Sequence, residues 1–174
     1  MGRNQYSNTP VLQYAITPSI FPMRHPSLVP LSHDHHHGLA LALRCRKQAL
    51  GQIKPMGAAG LRERAAEVLE FYDKNLCAHF RAEEEALFPQ LRTLTAESGQ
   101  LVESLVGEHE QMRGAIEQIK SGAGLAKVIF DLGDLLERHI RKEERELFPL
   151  FEQQVEVSKA DAIGVEIRKI LKPS

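Results

Sequence analysis

His79-Phe80-Arg81-Ala82-Glu83-Glu84-Glu85-Ala86-Leu87-Phe88-Pro89 and His139-Ile140-Arg141-Lys142-Glu143-Glu144-Arg145-Glu146-Leu147-Phe148-Pro149 are two versions of one phrase, sixty residues apart. Each opens on a histidine and carries a glutamate four residues later, Glu83 in one copy and Glu143 in the other. On an α-helix that spacing puts both side chains on one face. Each copy therefore turns an imidazole nitrogen and a carboxylate toward the same point, and the two copies read as halves of one metal site.

His79 is in register with Leu76 and Leu87, and His139 with Leu132, Leu136 and Leu147, so both face inward. A third inward histidine is His109. A matching ligand must come from the first helix, where His33, His35, His36 and His37 crowd together. Leu31-Ser32-His33-Asp34-His35 resembles Leu105-Val106-Gly107-Glu108-His109, which pairs His35 with His109. Helical steps from His35 meet Leu39, Ala42 and Cys45, whereas steps from His36 meet Leu39 and Leu43 and then Arg46. This favours His35, with His36 as its rival. His25, His33 and His37 are assigned to the surface or to supporting the ligands.

The resulting donor set is four imidazoles and two carboxylates, too many titratable groups to bury without a compensating cation. Two metal ions ~3.5–4 Å apart would share both carboxylates and take two histidines each. With one bridging oxide or hydroxide, each metal keeps a vacant place for a small molecule. Nitrogen and oxygen donors without thiolate suit iron, with manganese and zinc as alternatives. A closed tetrahedral zinc site fits poorly, since six donors exceed the four places of one such ion. The ferritin-like Glu-x-x-His spacing is absent, because Leu76, Val106 and Leu136 stand three residues before the histidines. The zinc-protease pattern fails because Arg113 occupies the place of its second histidine. Glu84, Glu85, Glu144 and Glu146 are read as mostly solvated, and Leu87 and Leu147 as an apolar wall beside the metals.

The elements that must position these groups are helical. Apolar residues recurring every three or four positions predict helix A over 32–53, helix B over 61–87 with Pro89 kinking or ending it, helix C from Ala96 to before Ser121, helix D over 125–148, and a short helix over 159–171. No alternating strand pattern is present. The expected fold is an all-α, up-down-up-down four-helix bundle over residues 31–174. Residues 1–30, with Pro10, Pro18, Pro22, Pro26 and Pro30, form an extended N-terminal arm. The repeat of a helical hairpin implies a pseudo-twofold axis through the metal site.

With 174 residues, 43% hydrophobic and 26% charged, the chain has ordinary globular composition, and its formal charge of -1 gives no field to attract nucleic acid or an anionic membrane. No apolar span, secretory signal or myristoylation pattern is seen. Cys45 and Cys77 lie in apolar helical patterns without a nearby cysteine partner, which reads as small buried hydrophobes in a reducing cytoplasm. Oligomeric state is not fixed by any of these features.

The doubled His-x-x-x-Glu-Glu-x-x-Leu-Phe-Pro phrase resembles the hemerythrin-like, or HHE cation-binding, family over about Leu31 to Glu152. The resemblance implies a four-helix bundle with a non-haem di-iron centre, and His79, Glu83, His109, His139 and Glu143 match its ligand positions, as does His35 less closely. Oxygen-carrying members place a second histidine on helix C where this chain has Arg113. They also take an aspartate five residues after the helix D histidine, a position held here by Glu144. The expected function is binding of dioxygen, nitric oxide or peroxide for sensing, buffering or detoxification. Alternatives are a di-iron oxidoreductase fed by an external reductase, and a metal-free helical interaction module.

Overall fold

The computed structural model describes residues 24–172. Helix α1 (Val29–Ala49) is followed by a second rod built from α2 (Gly57–Phe71), α3 (Cys77–Ala82) and α4 (Phe88–Leu91). Helix α5 (Ala96–Ser121) is the third rod, α6 (Leu125–Lys142) and α7 (Phe148–Gln154) form the fourth, and α8 (Val157–Leu171) closes the chain. The described residues are all-α, with no strand, as the periodicity predicts. None of these helices is long and apolar enough to cross a membrane.

The rods break where local chemistry requires it. Thr95 caps α5: its side chain accepts from the Ser98 N–H at 3.1 Å, and the Thr95 N–H donates to Ser98 Oγ at 2.9 Å, a reciprocal box that satisfies orphan donors of the first turn. Gly122 and Gly124, at φ 74° and 62°, make the turn into α6. Gly51, at φ 66°, terminates the first helix at Ala49, four residues short of the expected Ile53, because a left-handed backbone cannot continue the helix.

The two prolines of the repeated phrase end nothing. Pro89 and Pro149 sit in the first turns of α4 and α7, each preceded by a π-helical turn, Glu83–Leu87 and Glu143–Leu147. Proline has no N–H for the carbonyl one turn back. One widened turn, in which the Phe88 N–H reaches Glu83 O and the Phe148 N–H reaches Glu143 O, carries the rod past it. The fourth rod thus runs to Gln154 rather than stopping at Phe148. A further π turn, Tyr72–Leu76, interrupts the second rod alone.

The boundary between arm and domain also shifts. Pro30 fits the first turn of α1, where its missing N–H costs no hydrogen bond, and the helix starts at Val29. Leu28 is fully buried and Ser27 nearly so. Arg24 reaches Glu144 at 2.6 Å and Glu152 at 3.2 Å. The end of the expected arm is therefore part of the packed domain, while residues 1–23 lie outside the described ones.

Two apolar clusters fill the bundle. One holds Leu28, Leu31, Leu87, Phe88, Leu105, Leu147 and Phe148, with Ile163 and Ile167 of α8 closing it; the other holds Leu41, Cys45, Val68, Phe80, Met112, Ile129 and Leu136. Cys45 is buried, as expected of a small core residue, and burial pushes its thiol up to about 11. A layer of buried polar groups separates the two clusters, and α1 and α6 clamp it from one side. Their close approach depends on Gly133, where an added Cβ would stand 2.8 Å from the Ala42 carbonyl oxygen and 2.9 Å from Cys45 Cβ. Replacing Gly133 by alanine forces the two helices apart and should lower stability by about 1–3 kcal/mol, read as a reduced denaturant midpoint at unchanged slope; a wild-type midpoint would show that the contact is not limiting.

Candidate metal centre

All four rods contribute to the polar layer. His35 of α1, His79 of α3, His109 of α5 and His139 of α6 are each at most 3% exposed, and Glu83 and Glu143 are fully buried. Both glutamates open a π turn. The widened turn sets the direction in which the carboxylate leaves the rod, one turn beyond the histidine of the same copy.

The six side chains form two overlapping groups, His35-His79-Glu83-Glu143 and Glu83-His109-His139-Glu143, within each of which one ligand atom per residue lies within 4.8 Å of the others. Glu83 faces both groups, with Oε1 3.0 Å from His79 Nε2 and Oε2 3.3 Å from His109 Nε2. Glu143 Oε2 is 3.1 Å from His35 Nε2 and 3.4 Å from His139 Nε2. The shared carboxylates thus lie between two histidine pairs. His36 is not brought in: it is exposed, and its Nδ1 is 2.8 Å from the Ser32 carbonyl oxygen. The helix register decides between the rivals, since Leu31, His35, Gly38 and Ala42 share the buried face of α1.

Every one of the four imidazoles points Nε2 inward and Nδ1 at a carboxylate on a neighbouring rod. Asp34 of α1 takes His79 Nδ1 at 3.3 Å, and Glu84 of the second rod takes His109 Nδ1 at 2.7 Å. Glu108 of α5 takes His139 Nδ1 at 2.9 Å, and Glu144 of the fourth rod takes His35 Nδ1 at 2.7 Å, closing a ring. Three of these acids are held in turn: Glu84 by Arg113 at 2.8 Å, Glu108 by Lys142 at 2.5 Å, and Glu144 by Arg24 and by the Ser32 hydroxyl at 2.7 Å.

Sequence reasoning missed these orienting acids. The sequence pattern places Glu84 and Glu144 on solvated faces, yet both are half-buried, and Glu144, which matches a ligand position by resemblance, turns away from the metal groups to hold His35. Glu85 and Glu146 are exposed, as expected. A signal was present, since an acid directly precedes His35 and His109 and directly follows Glu83 and Glu143. Arg113, standing where oxygen carriers have a histidine, lies outside the metal groups and braces Glu84.

The donor chemistry fits a pair of cations. A carboxylate at Nδ1 fixes the proton of a neutral imidazole there, so each Nε2 offers a lone pair to the centre. His35 and His79 then oppose Nε2 to Nε2 at 3.2 Å, and His109 and His139 at 3.1 Å. All four oxygens of Glu83 and Glu143 are buried without a hydrogen-bond partner. Lone pairs facing lone pairs in a buried layer repel unless positive charge sits among them.

In the metal-free chain that charge is protons. Burial opposes the His79 imidazolium, but Glu83, Asp34 and Glu143 outweigh it and raise His79 to about 10. Burial likewise opposes His109, which Glu83 and Glu84 raise to about 9. Glu144 falls to about 2 against burial, through His35 and Ser32. The histidine contribution to stability is full below their ordinary 6.5 and lost as pH rises through about 9 to 10; the Glu144 contribution is full above 4.5 and lost toward about 2. Chelator-treated protein should therefore lose melting temperature between pH 7 and 10, metal-loaded protein should not, and loading at pH 7 should release protons. A flat profile for metal-free protein would contradict this assignment. Glu108→Gln should weaken metal binding about 10- to 100-fold without removing a ligand, measured by competition with a chelator.

The chain is 30% identical over 99 residues, 55% of its length, to a protein named DNA nickase from Nostoc sp., and the match spans only 28% of that relative. No solved structure matches the chain. The family model for the hemerythrin HHE cation binding domain matches residues 28–151, a stretch that contains all but the last three residues of the four rods and every histidine and glutamate of the two metal groups. The chain belongs to the hemerythrin HHE cation-binding family.

Proposed function

We propose that the protein is a non-haem di-iron protein of the cytoplasm that binds dioxygen, nitric oxide or a peroxide at an open metal position, for sensing, buffering or detoxification. Glu83 and Glu143 would bridge the two ions, with His35 and His79 on one and His109 and His139 on the other. Iron would supply a redox-active position at which a small molecule binds. The single observation that carries this reading is the buried layer in which four Nε2 atoms and four orphaned carboxylate oxygens face one another.

The protein's own residues then have distinct tasks. Asp34, Glu84, Glu108 and Glu144 fix each imidazole in one tautomer and orientation, which raises its basicity as a ligand. Phe148, stacked on His35 at 5.4 Å, and Phe80 and Phe88, stacked on His109 at 3.9 and 5.6 Å, exclude water from the ligands. Leu87 and Leu147, both fully buried, form the apolar wall on the side of the first core cluster. The nickase activity named for the cyanobacterial relative is not carried over, because the shared stretch is a small part of that protein.

Purified protein expressed in iron-rich medium should hold close to two irons per chain, and the double variant His79→Ala, His139→Ala should lose most of them. Reduced protein exposed to oxygen should develop a charge-transfer band in the visible spectrum. One zinc per chain, or unchanged metal content in the double variant, would refute the di-iron reading.

A further inference from the structure

His35 and His109 are each held from two sides, and in both cases one arginine reaches the two supports. At His35 the ring edge is held by Glu144, 2.7 Å from Nδ1, and the ring face by Phe148, stacked at 5.4 Å and 12°. Arg24 bonds Glu144 at 2.6 Å and lies over the Phe148 ring, with Cζ 4.9 Å from its centre. At His109 the edge is held by Glu84 at 2.7 Å and the face by Phe80, stacked at 3.9 Å and 20°. Arg113 bonds Glu84 at 2.8 Å and lies over the Phe80 ring at 5.6 Å. Each guanidinium also holds one acid further out, Glu152 at 3.2 Å from Arg24 and Glu110 at 2.5 Å from Arg113.

The other two histidines are held differently. Behind Glu108, the acid at His139, stands Lys142, whose ammonium is a point charge without a flat face or a fork. Asp34, the acid at His79, has His79 as its one ion-pair partner among the described residues, and it lines an open cleft of about 380 Å³ that runs past Val29, His33 and Lys74. Each metal group therefore has one histidine with an arginine behind it, His35 in one and His109 in the other. The internal repeat does not account for this. Arg113 stands four residues beyond His109, a position that Leu39 holds beyond His35. Arg24 comes instead from the segment ahead of α1, outside the residues 28–151 that match the family model. Two unrelated positions thus arrive at one arrangement, a guanidinium joined both to the acid at Nδ1 and to a ring stacked on the same imidazole.

We propose that Arg24 and Arg113 are positioning residues, each fixing the direction of one Nε2 lone pair for one ion, Arg24 through His35 and Arg113 through His109. The proposal rests on the di-iron reading and assigns these two side chains a task within it. An imidazole turns about two side-chain torsions; the carboxylate restrains its edge and the aromatic ring restrains its plane. The guanidinium fork grips the carboxylate while its flat face covers the ring, so the two supports move as one unit. The Arg24 and Arg113 side chains are 24% and 30% exposed, so shortening them leaves the two apolar clusters filled.

Iron(II) affinity of the full chain, measured without oxygen by competition with a chelator, tests this, with the melting temperature of the metal-free protein read in parallel. Wild type should bind two ions. Arg24→Gln should weaken one of them about tenfold, the low end for groups that orient a ligand, and Arg113→Gln should weaken the other by a similar factor, so that the double variant weakens both. In each single variant the Mössbauer spectrum of iron-loaded protein should change in one of its two components. The effect of Arg24→Gln should vanish in a His35→Ala background and persist in a His109→Ala background, because a positioning residue acts through its ligand. Wild-type affinities in both single variants, an Arg24→Gln effect that survives in the His35→Ala background, or equal weakening of both ions with a lowered melting temperature in each single variant would overturn the proposal while leaving the di-iron reading intact. If either glutamine variant does not fold, Arg24→Lys or Arg113→Lys, which keeps the charge without the fork, is judged by the same criteria. Fewer than two ions in the wild-type chain would overturn both readings.

Discussion

Lone pairs directed at lone pairs in a buried layer are the constraint on which this structure depends. Four imidazole nitrogens and four carboxylate oxygens meet between two apolar clusters, and no donor among the described residues reaches those oxygens while the imidazoles are neutral at Nε2. Burying such groups is tolerable only with positive charge among them. Protons supply it in the metal-free chain, and metal ions supply it in the reading proposed here. The same layer interrupts what would otherwise be one continuous hydrophobic core.

Orientation comes from a ring of carboxylates in which each rod holds the histidine of the next. Asp34 serves His79, Glu84 serves His109, Glu108 serves His139 and Glu144 serves His35. Because each hydrogen bond crosses between rods, the tautomer of every imidazole depends on bundle assembly rather than on its own helix. Cations behind three of the acids extend the coupling outward, and Arg24 ties the segment before α1 into it. The fourth acid, Asp34, instead stands at the inner end of the open cleft.

Departures from ideal geometry are concentrated where the chemistry is. Each glutamate that faces both histidine pairs opens a π turn, and both of these turns are followed at once by Phe-Pro. The proline expected to kink or end its helix is the reason for a wide turn, and the rod continues beyond it. A duplicated hairpin gives the layer its two matching halves, in which Gly38 stands where the other half has the fully buried Met112.

Side-chain periodicity and the doubled phrase determined the all-α class, the order of the rods and the inward direction of His79, Glu83, His109, His139 and Glu143, because residues four apart on a helix share a face whatever the helix packs against. They did not determine that Glu84 and Glu144 look inward to Nδ1, since a residue at the edge of a helical face is buried or solvated according to the neighbouring rod. The choice of His35 over His36 was legible in the internal repeat and in the helical steps from His35 to Ala42 and Cys45, and these residues share the buried face of α1. Helix ends at Gly51 and continuation past Pro89 and Pro149 also escaped a reading of local preference, because a left-handed glycine or a π turn forms only where the packed bundle fixes the path of the backbone. What the tertiary structure alone decided is the relation between rods: which acid meets which imidazole.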